Sequence, residues 1–405
     1  AIMTTHTVNN NRTSQWNITA DNDTWIVGKN ATFTVTNGNG IAENSFAGST
    51  IKIFGDMVIK GNGYAGAHIN GSSSSVLIGA NAVINASQAS YGVFSEAAGA
   101  DIVNHGRIRA NDTGLGGAIW SDVVNDGTIT ANAGILFEGG GSQVHNSGKI
   151  DAFEYGVALG AGSTLLVNEK QGDIVAEQTG VFFEGMGSSL FVNKGILRSD
   201  HAAIKSNSDA LSVTNTGKIF GNVLLGAGED VFDTRHGTIQ GVVHGGVDND
   251  TYRIASSGIK IVEGAAGGAL DRVFTTESYT LKGEIEQLTL VGGKDINAIG
   301  SGTDNQLYGN KGDNILSGKG GIDWLEGRGG TDILIGGGNA DTFAFEKGYG
   351  KDSVRDFTNG VDHFHSGEVT SQSEFDGLAI NQVGENTVIN FGNGDRLVIE
   401  DTLKA

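Results

Sequence analysis

The chain has 405 residues, of which 66 are glycine and none is proline or cysteine, and its formal net charge is −20. This charge argues against nucleic acid and anionic membranes as partners, since both attract basic surfaces, and the lack of cysteine excludes disulfides and thiolate metal sites. Excess carboxylate is typical of a protein that binds divalent cations. Abundant glycine with 38% apolar residues indicates tight turns between short strands.

The first part of the chain carries few signals. We expect an N-terminal cap or attachment region over residues 1–44. It shows no basic segment followed by an apolar run, so no conventional signal peptide is expected. No stretch of the chain approaches the roughly 18 apolar residues that span a bilayer, and membrane insertion is therefore not expected.

A repeated phrase then predicts a parallel β-helix. An apolar pair is followed by Asn, a short gap, Gly, any residue and Ile, as in Val103 to Ile108 and Val124 to Ile129. Copies recur every 20–24 residues, with these glycines: Gly106, Gly127, Gly148, Gly172, Gly195, Gly217 and Gly237. Short apolar runs alternate with turns, which is a strand pattern, and the period fits one turn of a β-helix. We predict a right-handed parallel β-helix over 45–245, with the recurrent Asn side chains stacked from turn to turn.

Residues 300–344 contain five consecutive nonapeptides of the form G-G-x-G-x-D-x-U-x, where U is a large apolar residue. Two such units complete one circuit, so residues 18 apart should stack. The sixth positions then form two columns that face Ca²⁺, which takes six to eight oxygen ligands. The predicted side-chain ligands are Asn305, Asn314, Asp323, Asp332 and Asp341. The predicted glycine ligands, whose turn carbonyls would point inward, are Gly318, Gly320, Gly327, Gly329, Gly336 and Gly338.

These nonapeptides resemble those of the RTX, or hemolysin-type calcium-binding repeat, family, which is exported by type I secretion. Upstream, Gly245 to Tyr252 resembles an isolated nonapeptide, and Ile285 to Leu290 resembles the usual lead-in. Downstream, Asp352 to Asp362 resembles the family's closing segment, and Asn390 to Ile399 a strand pair before an uncleaved secretion signal.

The resemblance implies an all-β fold in which the β-helix is followed by a calcium-binding parallel β-roll. It implies a connecting segment over 246–299, the roll over 300–345 and a C-terminal cap with the secretion signal over 346–405. Asp250 and Asp356 are added as expected calcium ligands. Family members leave a bacterial cell unfolded and fold outside it on Ca²⁺, so an extracellular or cell-surface location is implied.

Two departures from the family pattern are visible. Asn replaces Asp at position six of the first two units, so we expect those turns to hold calcium more weakly or to use other ligands. The sequence ends at Ala405, earlier than in most family members, and a shortened signal or a truncated chain would explain this.

No catalytic motif accompanies the repeats. The H-E-x-x-H of zinc proteases and the G-x-S-x-G of lipases do not occur. We therefore predict a non-catalytic extracellular protein, namely an adhesin, matrix component, surface-layer or filament subunit, with self-association and a surface polysaccharide as candidate interactions. The alternative is a β-helical polysaccharide lyase or epimerase with an RTX tail, with Glu138 and Glu184 beside Phe137 and Phe183 in a sugar-binding groove.

Overall fold

The computed structural model describes residues 3–118, 120–207, 209–264, 267–367, 373–374 and 377–401. The last four residues, where the shortened secretion signal was expected to end, lie outside this part of the chain. Unit 1 comprises Ala1–Gly228 and His236–His244, and unit 2 comprises Glu229–Arg235 and Gly245–Ala405. Both are all-β parallel solenoids, with about 16 turns in total. Within the described residues, no helix is long and apolar enough to cross a bilayer.

The strands, in chain order, are β1 (Thr5–Val8), β2 (Trp16–Ile18), β3 (Thr24–Val27), β4 (Thr32–Thr36), β5 (Ile41–Glu43), β6 (Thr50–Ile53), β7 (Asp56–Lys60), β8 (Ala65–Ile69), β9 (Ser75–Ile78), β10 (Val83–Gln88), β11 (Tyr91–Ser95), β12 (Ala100–Asn104), β13 (Arg107–Ala110), β14 (Thr113–Gly117), β15 (Ser121–Asn125), β16 (Thr128–Phe137), β17 (Gln143–Asn146), β18 (Lys149–Leu159), β19 (Leu165–Asn168), β20 (Asp173–Ala176), β21 (Thr179–Phe183), β22 (Ser188–Asn193), β23 (Ile196–Ser206), β24 (Ala210–Asn215), β25 (Lys218–Gly226), β26 (Val231–Asp233), β27 (Thr238–Gln240), β28 (Val242–Gly246), β29 (Thr251–Ile254), β30 (Lys260–Val262), β31 (Arg272–Thr275), β32 (Tyr279–Thr280), β33 (Gln287–Leu290), β34 (Ala298–Ile299), β35 (Gln306–Tyr308), β36 (Ile315–Gly320), β37 (Trp324–Glu326), β38 (Ile333–Gly338), β39 (Thr342–Ala344), β40 (Lys351–Val354), β41 (His363–His365), β42 (Ala379–Val383), β43 (Asn386–Gly392) and β44 (Asp395–Ile399).

Each turn of unit 1 uses three strand segments, as β12, β13 and β14 illustrate. Each pairs in parallel with the equivalent strand one turn further along, so that Ile102 lies beside Val123 and Ile108 beside Ile129. The inward side chains of these strands are fully buried. Burial of alternate apolar residues between stacked turns therefore supplies the core, because no turn can cover its own apolar face.

The predicted asparagine ladder is confirmed in unit 1. Each amide Nδ2 donates to the Oδ1 of the asparagine in the next turn, at 2.7–2.8 Å. The six residues of this ladder are Asn104, Asn125, Asn146, Asn168, Asn193 and Asn215. All are buried, so each amide satisfies its neighbour in a region that water does not reach.

The N-terminal region differs from the expected cap over 1–44. Strands β1 to β5 already belong to the solenoid, with Thr5 paired to Thr24 and Trp16 to Ile41. Trp25 and Phe33 are buried in the same core as later turns. At the strand position that Asn104 occupies in later turns, these first turns have Val8 and Val27. Trp25 and Phe33 fill their core, so the repeated phrase is not recognisable in this part of the sequence.

Unit 2 has smaller turns in its nonapeptide region, and these have the predicted 18-residue repeat. Gln306, Trp324 and Thr342 are neighbours in one sheet, and Ile315 and Ile333 are neighbours in the other. The apolar residue at position eight is buried in all five units. At the end of the unit, β42, β43 and β44 form an antiparallel meander, and β44 pairs in parallel with β40. The strand pair expected over 390–399 is thus present.

Candidate metal centre

Two ladders of polar side chains run through unit 2, each from residues at or beside the starts of stacked strands. The first ladder consists of Asp230, Asp250, Asp271, Glu286, Asn305, Asp323, Asp341 and Asp362. The second consists of Asn314, Asp332 and Asp352. Wherever the next member of a ladder is Asp or Glu, one of its carboxylate oxygens accepts the backbone N–H of the preceding member, at 2.7–2.9 Å. The two predicted columns are parts of these ladders. Successive residues within each column are 18 positions apart in the sequence.

The other oxygen of several of these carboxylates has no partner. Among the described residues, Oδ2 is buried without a hydrogen bond in Asp271, Asp323, Asp332, Asp341 and Asp352. Each of the five side chains is at most 2% exposed. Buried polar atoms are nearly always satisfied, and an unpaired charged one is especially costly. A cation or a proton at these oxygens would remove that cost.

The two asparagines in the ladders behave differently from the aspartates. Asn305 Oδ1 accepts the N–H of Ser301 at 2.6 Å, and its Nδ2 donates to the carbonyl of Ile285 at 2.9 Å. Asn314 repeats this arrangement, accepting from the N–H of Asn310 at 2.8 Å and donating to the carbonyl of Ile296 at 2.7 Å. Both amides are therefore satisfied by backbone groups, so the structure brings them into the columns without an unpaired atom.

The glycine turn differs between the nonapeptides with Asp at position six, called aspartate units, and those with Asn, called asparagine units. In the aspartate units the second residue is left-handed, with φ of 78° at Lys319 and 67° at Arg328. Such a conformation costs a non-glycine residue on the order of 1–3 kcal/mol. Ser301 and Asn310, the second residues of the asparagine units, do not have positive φ. The turns before Asp323 and Asp332 thus hold a strained conformation, whereas the turn before Asp341 has Gly337 at this position.

The first glycine of each aspartate unit leaves space for oxygen atoms. A Cβ at Gly318 would collide with Asp323 Oδ2 and would lie 2.7 Å from the carbonyl oxygen of Gly336. Gly327 and Gly336 face Asp332 and Asp341 in the same way. A carboxylate oxygen therefore lies against each first glycine, and beside Gly318 a backbone carbonyl approaches the same point. Oxygen donors of this kind suit Ca²⁺.

The third-position glycines have no such steric requirement. A Cβ at Gly320 would meet no atom within 4 Å, and at Gly329 and Gly338 the nearest atoms would be 3.8 and 3.9 Å away. Their expected role as carbonyl ligands stays a prediction.

Burial raises the pKa of the unpaired carboxylates. The pKa of Asp323 and of Asp332 rises to about 7 and that of Asp352 to about 8, and burial is the largest cause in each. Neighbouring carboxylates add to the shift, Asp341 acting on Asp323 and Asp332 on Asp352. The pKa of Asp341 is raised as well. The pKa values of Asp323, Asp332 and Asp352 therefore lie close to neutral pH.

Asp356 is already bonded to the backbone. Its Oδ1 accepts the N–H of Gly336 at 2.9 Å and its Oδ2 that of Gly337 at 2.8 Å. Asp352, which the sequence analysis placed in the closing segment but not among the ligands, occupies the ladder instead. An Asp two residues before a core apolar residue is the signal that would have identified it, because Asp352 and Val354 repeat the spacing of Asp332 and Leu334.

Asp250 lies in a buried acidic cluster with two residues that the sequence analysis missed, Glu263 and Asp271. One carboxylate oxygen from each residue lies within 4.8 Å of the others. The hydroxyl of Tyr252 donates to Glu263 and also lies 3.4 Å from Asp250 Oδ2. Asp271 carries the Asp-x-apolar signal, but Glu263 is in no repeat, and only the fold brings it to the cluster.

The two glutamates considered for a sugar-binding groove are exposed and lie two turns apart in unit 1. Phe137 and Phe183, expected beside them in the groove, are instead buried in the core. The reason is strand alternation: the residue before each glutamate points inward, so it cannot line the surface that the glutamate faces.

No protein-family model matches this sequence, and a search of curated proteins finds no match.

Proposed function

We propose that this chain is a secreted, calcium-binding, non-catalytic structural or adhesive protein, and that unit 2 is an RTX-type β-roll that folds on Ca²⁺ outside a bacterial cell. The observation that carries the proposal is that, among the described residues, Oδ2 is buried without a hydrogen-bond partner in Asp271, Asp323, Asp332, Asp341 and Asp352. Each belongs to a ladder whose other oxygens are engaged by backbone N–H groups.

Three features of these residues suit the binding of a calcium ion. The buried oxygens lack partners, a first-position glycine leaves space beside each predicted aspartate ligand, and the donors are carboxylate and carbonyl oxygens. Asp323, Asp332 and Asp341 are the residues that would hold Ca²⁺. The ion would neutralise carboxylates that otherwise face one another in a buried ladder, so its binding energy would become folding energy of unit 2.

Unit 1 has a different basis for stability. Its core is apolar and its polar ladder consists of neutral amides that satisfy one another. We therefore propose that unit 1, as a right-handed β-helix, is the constant scaffold and that Ca²⁺ controls order in unit 2. Such an arrangement suits export of an incompletely folded chain, followed by folding at extracellular calcium concentrations.

Hydrogen–deuterium exchange of the full chain, with Ca²⁺ or with EDTA, tests this proposal. Peptides that cover β35 to β39 should become protected only with Ca²⁺, while those that cover β12 to β18 should be protected in both conditions. Unit 1 thus serves as the internal control. Equal protection of β35 to β39 in EDTA and in Ca²⁺ would refute the calcium-dependent fold.

The structural role has a separate test. We propose that the folded chain self-associates or binds a cell-surface polysaccharide. Electron microscopy of the purified protein should show layers or filaments in Ca²⁺ that disperse in EDTA. If monomers are seen in both conditions and a glycan array shows no binding, the structural and adhesive part of the proposal fails while calcium-dependent folding stands.

A further inference from the structure

A second kind of cation site lies upstream of the nonapeptides. Asp250, Tyr252 and Asp271 are 0% exposed and Glu263 is 6% exposed, and the three carboxylates approach one another within 4.8 Å. We propose that Asp250, Glu263 and Asp271 form a dedicated Ca²⁺ site, distinct from those of the roll, which fastens the first turns of unit 2 together. This inference rests on unit 2 being a calcium-binding module.

The carboxylates are oriented by the backbone before any cation binds. Asp250 Oδ1 accepts the N–H of Asp230 at 2.8 Å, and Asp271 Oδ1 accepts the N–H of Asp250 at 2.7 Å. Glu263 Oε2 accepts the N–H of Gly246 at 3.3 Å. Asp271 Oδ2 is buried with no hydrogen-bond partner in the described parts of the chain. The cluster therefore contains an oxygen that its own hydrogen-bond network leaves unsatisfied.

Two glycines show that oxygen atoms converge here. A Cβ at Gly245 would collide with Asp250 Oδ2, Glu263 Oε1 and the hydroxyl of Tyr252. A Cβ at Gly267 would lie 2.9 Å from the carbonyl oxygen of Gly264, 3.3 Å from Asp271 Oδ2 and 3.7 Å from Glu263 Oε2. Carboxylate, phenol and backbone carbonyl oxygens thus surround space that any larger residue would fill.

The charges of this cluster are not balanced by protein cations. Burial is the largest cause that raises the pKa of Asp250 to about 7 and that of Glu263 to about 8, and both values are raised further by Asp271. Burial raises the pKa of Asp271, and Arg272 opposes that rise, but no cationic group among the described residues contributes to the shift of Asp250 or Glu263. A divalent cation would neutralise the negative charge of the three carboxylates that Arg272 alone does not balance.

The donor set favours calcium over other divalent ions. All of the converging atoms are oxygens, which excludes the nitrogen and sulfur ligands that zinc prefers. Mg²⁺ usually retains several waters, whereas Ca²⁺ accepts irregular shells of protein oxygens. Because Asp250, Tyr252 and Asp271 are fully buried, a dehydrated ion in a protein shell matches the site better.

The position of the ligands indicates what the ion would do. Asp250 precedes β29, Glu263 follows β30 and Asp271 precedes β31. Strands β29 and β31 are neighbours in one sheet, whereas Glu263 is carried by the connection between them. A cation would hold this connection against the sheet, and so order the turns on which the first nonapeptides stack.

The test counts bound ions and locates their effect in the full chain. Bound Ca²⁺ is measured by elemental analysis after equilibrium dialysis, and exchange protection is followed over 246–275. Glu263→Gln removes one charge with little change of shape, and the exposed Glu284→Gln is its matched control. Gly245→Ala keeps every charge but fills the space between the oxygens. Asp332→Asn alters the roll alone.

We expect Glu263→Gln and Gly245→Ala each to lose one Ca²⁺ per chain and the calcium-dependent protection of β29 and β31, while unit 1 stays protected. If both variants bind as much Ca²⁺ as Glu284→Gln and keep that protection, the cluster holds protons and the site is refuted. Equal protection of 246–275 by Mg²⁺ would also refute it. If only Asp332→Asn loses Ca²⁺, the upstream site is refuted and the calcium-binding roll stands. If no variant loses Ca²⁺, both the upstream site and the calcium-binding roll are refuted.

Discussion

The choice between Asp and Asn at position six of a nonapeptide determines whether all polar atoms of that side chain have hydrogen-bond partners. Asn305 and Asn314 use both amide atoms on backbone groups, whereas Asp323 leaves one carboxylate oxygen unpaired. Sequence analysis expected the asparagine units to bind calcium more weakly, on the ground of lost charge. The structure gives this expectation a physical basis, because backbone groups pair both amide atoms of each asparagine and leave one oxygen of Asp323 unpaired.

Asp323→Asn should therefore stabilise the metal-free protein and destabilise the calcium-bound one. Without metal, removal of an unpaired buried charge is worth roughly 1–3 kcal/mol. With Ca²⁺, the variant loses a ligand, and the urea midpoint of unit 2 should fall. Urea unfolding in EDTA and in Ca²⁺ measures both changes. The exposed Asp101→Asn is the control, and a variant that matches this control in both conditions would contradict the charge argument.

Among the elements, the asparagine ladder of unit 1 is a continuous line of polar side chains beside buried apolar residues. Asn146 accepts from Asn125 at 2.7 Å and donates to Asn168 at 2.8 Å. Removal of one amide leaves an unsatisfied donor on one side and an unsatisfied acceptor on the other. Such groups cost more when orphaned than their hydrogen bonds contribute when formed.

Asn146→Ala should consequently lower the free energy of unfolding of unit 1 by about 2–6 kcal/mol, from two orphaned groups at ~1–3 kcal/mol each. The exposed turn residue Asn81→Ala provides the comparison. Exchange protection of β15 to β19 at increasing urea measures the effect independently of unit 2. A loss no larger than that of Asn81→Ala would show that the ladder is dispensable for stability.

The same elements show what sequence could predict. The Asn–Gly period predicted the stacked turns of 100–239, and the nonapeptides predicted 18-residue stacking, since both signals repeat at a fixed spacing. The acidic cluster lacks this property, because Asp250, Glu263 and Asp271 are separated by irregular connections. Whether an atom is left unpaired, as in Asp352, depends on three-dimensional hydrogen bonding that a motif does not encode. The calcium ligands themselves stay a prediction.

At the scale of the whole molecule, the buried ladders make metal-free stability depend on pH. The pKa of Asp323 and of Asp332 in the fold is about 7 and that of Asp352 about 8, well above the ordinary value of 3.8 for aspartate. Between these values the folded chain binds protons that the unfolded chain has released. Stability from protonation is thus fully present below about pH 4 and is lost as pH rises through 7 to 8.

In EDTA, unit 2 should therefore be more resistant to urea at pH 5 than at pH 8, because protons occupy the carboxylates that Ca²⁺ would otherwise neutralise. Saturating Ca²⁺ should reverse the trend, since the metal binds the deprotonated groups. Urea unfolding with exchange readout at both pH values tests this, and unit 1, whose ladder consists of neutral amides, is the internal control. If unit 2 in EDTA were equally stable at both pH values, the unpaired oxygens would not be titrating in the folded chain.

Replacing Asp323, Asp332 and Asp352 together with Asn should weaken the pH dependence of stability. That result would locate the source of the dependence in the ladders and not in the net charge of −20.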